Sequence, residues 1–404
     1  MLTARWRIKS LIPKAGKADE AGLRAVAPEL LARYAAHRKH PWWRRVPCVH
    51  ALRGRVPEAR VPSLLDRVRD LDDESAVRIA LLEVLHDRVE LLPWLREQVA
   101  DDFGVYEACL HVRAMLGDVT AAPAIATLAN SPWTHRRRIG EAALESLVAR
   151  HGAAAIQLQV GDARAEDRVF QVRVEARGGA DVTRAFADVD VDVARTACEL
   201  VVATGIPDTE MLLDYVVTGP TMTARLWAML ALHRRGRDIR ELWHALDCPR
   251  LEIAGLDDEL RLAIVRDYPG TGRTDPRWLV EAAAVDLPAP PDEQAQLARV
   301  TAALDAAGLA PGPAREIGLV NNQGGGTYHV IETAAGTIEV STLGRFVRSG
   351  GGYAPRKLRQ ALEDAGFRWI DPELGAILVT GLCVYYFGKR EPLDIETLLF
   401  YWQD

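Results

Sequence analysis

Asp72-Asp73-Glu74-Ser75-Ala76-Val77-Arg78-Ile79-Ala80-Leu81-Leu82-Glu83-Val84-Leu85 is the stretch around which the rest of the chain can be read. Acids open it, where the partial positive charge of a helix N-terminus favours them. Val77, Ala80, Leu81, Val84 and Leu85 then recur at helical spacing and make one apolar stripe. One helix of this length cannot bury such a stripe alone, so the stretch predicts a partner helix beside it.

Versions of it recur down the chain. Glu107 to Leu116 is a helix pattern ended by Gly117-Asp118, and Ala122 to Leu128 is another, with Pro123 at its start. Arg138 to Leu147 repeats the rhythm Arg-x-x-x-Ala-x-x-Leu after the break at Asn130-Ser131-Pro132. Val193 to Leu200, Thr223 to Leu232 and Asp257 to Val265 follow, the last echoing the opening Asp-Asp-Glu…Arg. Arginines 78, 113, 138, 195, 225 and 261 mark these helices, with a weaker copy near Arg173. Such recurrence predicts stacked helical hairpins, each hiding the face of its neighbour.

The acidic turn followed by Val-Arg-x-x-Ala-x-x-x-Leu resembles the HEAT-repeat family, of the PBS-lyase-like bacterial kind, over about residues 55–270. The resemblance implies a mostly α fold, a HEAT-like α-α superhelix (solenoid). It also implies a ladder of hydrogen bonds between neighbouring turns, with Asp72 and Arg78, and Asp257 or Asp258 and Arg261, in that role. Some HEAT-like proteins are DNA glycosylases that use tryptophans with a single aspartate. Trp94, Trp133, Trp227 and Trp243 would offer the aromatics, but no aspartate is singled out by spacing.

Around this array the chain divides readily. Residues 1–54 hold a first helix, from Glu20 to His37, and a basic–aromatic segment that caps the solenoid. Residues 271–311 read as a linker with helices, set between Pro269-Gly270-Thr271-Gly272 and Pro311-Gly312-Pro313. Beyond it the period changes. Thr327 to Thr333 and Gly336 to Ser341 alternate as strands of a hairpin, Pro355 to Ala365 is a helix, and 376–380 and 383–387 look like two more strands. Ile395 to Trp402 is either a short helix or a last strand. Residues 312–404 are therefore expected to form a small C-terminal α+β domain, of no recognised family.

Bulk composition narrows the function. At 404 residues, with 49% hydrophobic and 26% charged, the chain suits a folded protein, and its formal net charge of −6 argues against coating nucleic acid or an anionic membrane over the whole surface. The five cysteines are scattered, with no CxxC pair, so neither a zinc knuckle nor a disulfide framework is indicated. No signal peptide and no membrane-spanning run is visible, and the expected location is the cytoplasm.

No catalytic, cofactor or metal motif stands out: there is no His-Glu-x-x-His and no Gly-x-Ser-x-Gly elbow. The candidate sites are surfaces. His37 to Arg45, with Arg38, Lys39, Trp42, Trp43, Arg44 and Arg45, mixes cations with rings as a phosphate-tracking surface does, and as a wet protein interface does. Trp133, His135, Arg136 and Arg137 form a second such spot, and His233 to Arg237 a third, which a helix C-terminus explains by itself. The triple glycines of 324–326 and 350–352 (Gly324, Gly325, Gly326 and Gly351 among them), with Arg345 and Arg348, are the place to look for a bound anion, although flexible connectors are the simpler reading. The expected function is a non-catalytic scaffold gripping a protein partner. The alternative is a nucleic-acid-binding protein.

Overall fold

The computed structural model describes residues 8–99, 104–268, 270–321, 324–351 and 355–403. It is mostly helical, with a small C-terminal sheet region. The chain forms two compact units, Met1–Ala180 and Asp181–Asp404.

In the first unit, the opening stretch forms helix Ser75–Val84, and all five stripe residues are buried. Helix Val61–Arg69, with Pro62 in its first turn, packs on it. The same pairing joins Pro28–Ala35 to Trp42–His50, and Ala122–Ala129 to Thr134–His151. The second helices also meet in series: Trp42–His50 touches Ser75–Val84, which touches Val105–Met115, which touches Thr134–His151. The helix expected over 20–37 is two, Glu20–Arg24 and Pro28–Ala35, because Pro28 starts a new one.

The ties between these helices are arginines. Arg45 Nε donates to the Ala35 carbonyl at 2.7 Å and Arg78 Nε to the Val68 carbonyl at 3.1 Å, each across ten residues and each at the end of the preceding helix. Arg173 Nη1 donates to the Ala129 carbonyl, at the end of Ala122–Ala129, at 2.7 Å from farther along the chain. Guanidinium groups belong there, since the last carbonyls of a helix lack partners and carry partial negative charge. Of the pairings that the family resemblance implied, the one at Arg261 is replaced, and the acids of the opening turn also tie into the hairpin before them. Asp73, one residue beyond Asp72, takes Arg45 of the preceding hairpin, while Asp257 takes Arg368 at 2.6 Å and Arg261 takes Glu281 at 3.0 Å.

The second unit begins with helices around Met222–Arg234, a helix apolar on nearly all sides. Val191–Thr204, Thr209–Thr218 and Pro276–Ala284 pack against it, and its Trp227 is wholly buried. Residues read as a linker are core here. Trp278 joins the cluster under the C-terminal strands, and Val300 and Leu304 of Glu293–Ala306 pack on the sheet.

The sheet contains β1 (Arg315–Glu316), β3 (Tyr328–Thr333), β4 (Gly336–Ser341), β5 (Phe346–Ser349) and β6 (Arg368–Trp369), in the order β1-β3-β4-β5-β6. The expected hairpin is β3–β4, with Thr333 opposite Gly336. Helix Arg356–Asp364 crosses from β5 to the parallel β6. Two small ribbons complete it, β2 (Gly325–Gly326) with β9 (Trp402–Gln403), and β7 (Val384–Tyr386) with β8 (Lys389–Glu391). The strand expected at 376–380 is a single bridge, Leu378 to Asp394. The segment 395–402 holds both expected alternatives in turn, helix Ile395–Leu399 and then β9.

Candidate interaction surfaces

The basic–aromatic stretch is largely consumed inside the first unit. Arg45 is buried, and its two terminal nitrogens donate to the two carboxylate oxygens of buried Asp73, both at 2.6 Å. Burial alone would raise the Asp73 carboxyl, but the hydrogen bonds and charge of Arg45 outweigh it and hold the group below the usual carboxylate range. Arg44 donates to the Ile12 carbonyl at 3.2 Å and lies over the Trp43 ring at 4.4 Å, and Trp43 is half-buried against the core. Arg38 pairs with Asp70 at 3.2 Å and with the Asp72 carbonyl at 3.0 Å. Arg45 is therefore a structural tie and not a contact residue, which corrects its reading as a binding group. Exposed Lys39 and Trp42 remain, in a shallow cleft that Asp72, Asp73 and Glu74 also line. A phosphate would meet carboxylates there.

The second spot is more open. Trp133 is 63% exposed at the N-cap of Thr134–His151, and His135 is exposed beside it. Arg136 is held by buried Glu107 at 2.7 Å, whose other oxygen accepts the Gly104 N–H at 2.7 Å. Arg137 is half-buried and Arg138 exposed. Helices Ala122–Ala129 and Thr134–His151 approach so closely that a Cβ on Gly140 would lie 2.4 Å from the Ala129 nitrogen. Beside that contact opens a groove of about 910 Å³, with Tyr106, Leu110, Thr127, Leu128 and Arg136 among its lining.

The glycine loops have structural work. A Cβ on Gly326 would meet Ile317 Cγ2 at 2.2 Å and the Tyr401 carbonyl at 2.7 Å, so β2 reaches β9 only without a side chain there. Gly324 takes a left-handed conformation, with φ of 77°. Arg348 is shared by Glu339 and Glu396 and stacks on Phe400 at 4.6 Å, which removes it from an anion site. Arg345 is exposed, and the Gly351 N–H donates to Ser349 Oγ at 3.4 Å. Asn322, Gln323, Gly352 and Tyr353 lie outside the described residues.

Other readings resolve similarly. Arg235, at the end of Met222–Arg234, donates to the Pro207 carbonyl at 2.7 Å and also to the Val201 carbonyl of Val191–Thr204. Its side chain therefore serves a neighbouring helix and not its own C-terminus. Of the tryptophans considered for a glycosylase-like face, Trp227 and Trp243 are buried. Four of the five cysteines are buried, and burial pushes the Cys48 and Cys198 thiols up to about 12. Cys248 is half-buried, 3.2 Å from His244 Nδ1. Among the described residues no group of three or more His, Cys, Asp or Glu side chains could hold a metal, and no helix is long and apolar enough to cross a membrane.

One surface has no counterpart in the sequence reading. Asp181, Thr183, Pro207, Glu210, Met211, Asp214 and Tyr215 line a cleft of about 300 Å³ in the second unit. Tyr215 donates to the Thr183 carbonyl at 3.0 Å, and burial, then the charge of Asp181, pushes its phenol up. The signal for it was Glu210-x-x-x-Asp214, a spacing that puts two carboxylates on one helix face without forming a charge run.

No protein-family model matches the chain, and no curated protein matches it in sequence.

Proposed function

We propose that the chain is a non-catalytic scaffold that holds a protein partner on HEAT-like, solenoid-forming helical hairpins, and that it works in the cytoplasm. The single observation that carries this reading is the open groove lined by Tyr106, Thr127 and Arg136, in a unit whose second helices meet one after another. Such a series presents a ridged surface wide enough for a polypeptide. Five unbridged thiols suit a reducing compartment. A nucleic-acid partner has less support, because Arg38, Arg44 and Arg45 already serve carboxylates and carbonyls within the unit.

The test is a photo-crosslinking amino acid placed at Tyr106 in the groove and, as a control, at exposed Arg150, both in the native host. A discrete protein adduct from position 106, absent from 150 and lost when Thr127→Arg fills the groove, supports the proposal. Equal adducts from both positions, or none, would overturn it.

A further inference from the structure

The second unit carries a helix face whose negative charge is unanswered. Glu210 and Asp214 stand one turn apart on Thr209–Thr218, with Cβ atoms about 5–6 Å apart at that spacing. Asp181 faces the same cleft. Among the described residues none of these three carboxylates has a Lys or Arg partner. Arg235 reaches the wall of the cleft, but it is spent on the Pro207 and Val201 carbonyls. Among the described residues Asp181 accepts from the Thr183 N–H and Asp214 from the Thr218 hydroxyl.

Apolar side chains are interleaved with the acids. Met211 is 55% exposed and Val217 65% exposed on the same helix, while Leu212 and Val216 face inward. Ile206 and Met222 are exposed at its two flanks. A small cation would use the carboxylates and leave these aliphatic groups in water. A segment with cations on one side of an apolar stripe would cover both, and methionine adapts readily to such a surface.

We infer that the Glu210–Met211–Asp214–Val217 face docks a basic amphipathic helix of a partner protein, its Lys or Arg side chains on Glu210, Asp214 and Asp181 and its apolar side chains on Met211 and Val217. This rests on the reading of the chain as a protein-binding scaffold, but it concerns a surface of the second unit. The Tyr106 crosslinking test of the first unit therefore stands or falls separately.

The test uses the full chain and a fluorescein-labelled leucine–lysine amphipathic helical peptide, read by anisotropy at physiological salt. Saturable binding is expected. Glu210→Lys/Asp214→Lys should weaken it by about tenfold or more, since reversal turns attraction into repulsion. Asp305→Lys/Glu373→Lys, the same charge change at other exposed acids, should leave it within about twofold, as rim charges remote from a site do. Met211→Ser should weaken it by about threefold through lost apolar cover. All variants should keep the parent melting temperature. Absence of saturation, equal weakening by the control pair, an unchanged affinity for Met211→Ser with full displacement by spermine, or preference for a single-stranded oligonucleotide would each overturn the inference.

Discussion

The stretch 37–45 and the face of Thr209–Thr218 make opposite use of charge. The first gathers cations and rings in consecutive positions and looks like a contact surface, yet Asp73, Asp70 and backbone carbonyls satisfy its arginines. The second shows no charge run, yet its carboxylates have no cationic partner among the described residues. A dense run of arginines near helix ends is where the fold itself needs donors. What is left over for a partner is charge that no neighbouring element answers.

The largest effect should come from breaking the first region. Asp73→Ala leaves Arg45 buried without its carboxylate and should cost about 3–5 kcal/mol in denaturant unfolding of the full chain. A loss below about 1 kcal/mol would mean that the pair behaves like an exposed one.

A sharper contrast lies between the two buried pairs. Asp73 uses both oxygens, whereas Glu281 gives one oxygen to Arg261 and its Oε2 has no partner. Burial pushes the Glu281 carboxyl up, against the attraction of Arg261. Asp73→Asn should therefore destabilise more than Glu281→Gln, and the reverse order in parallel melts would remove the distinction.

Acid should act on the two in opposite senses. Asp73 and Asp118 have folded pKa values below their unfolded ones, Asp118 because Arg96, Thr120 and Arg113 outweigh its burial. Their contribution is complete above the unfolded carboxylate value near about 4 and is lost as pH falls towards the folded values. Glu281 is raised, so its burial cost is relieved as pH falls through its folded value. Melting temperatures from neutral pH down to about 3 should fall less steeply for Asp73→Asn than for the parent, and more steeply for Glu281→Gln. Parallel curves would contradict the assignment.

The smallest effect is expected at the open spot. Trp133→Ser and Arg137→Glu should change stability by no more than about 0.5 kcal/mol, as surface substitutions do. A large loss would place them in the core instead.

Much of this fold was legible because helical periodicity is local. The stripe of 77–85, Pro62 and Pro123 in first turns and the β3–β4 hairpin all follow from spacing along the chain. The helix break at Pro28 was also written in the sequence, but the apolar residues on either side continue one pattern across it. Partners were not legible. That Asp73 would meet Arg45 depends on how the turn before Ser75–Val84 folds and on how two hairpins lie against each other, and neither is written in local spacing. The cleft at Asp181 and Asp214 draws on segments more than thirty residues apart, which no window on the sequence brings together.

The claim on which the comparison stands is that the arginines of the first region are internal ties. The most direct measurement is a double-mutant cycle on Arg45 and Asp73 in the full chain, using Arg45→Met and Asp73→Leu. The account predicts that each single substitution costs several kcal/mol and that the double variant recovers most of the loss, because an apolar pair of similar volume replaces the ions. Additive losses, with a coupling below about 0.5 kcal/mol, would contradict it.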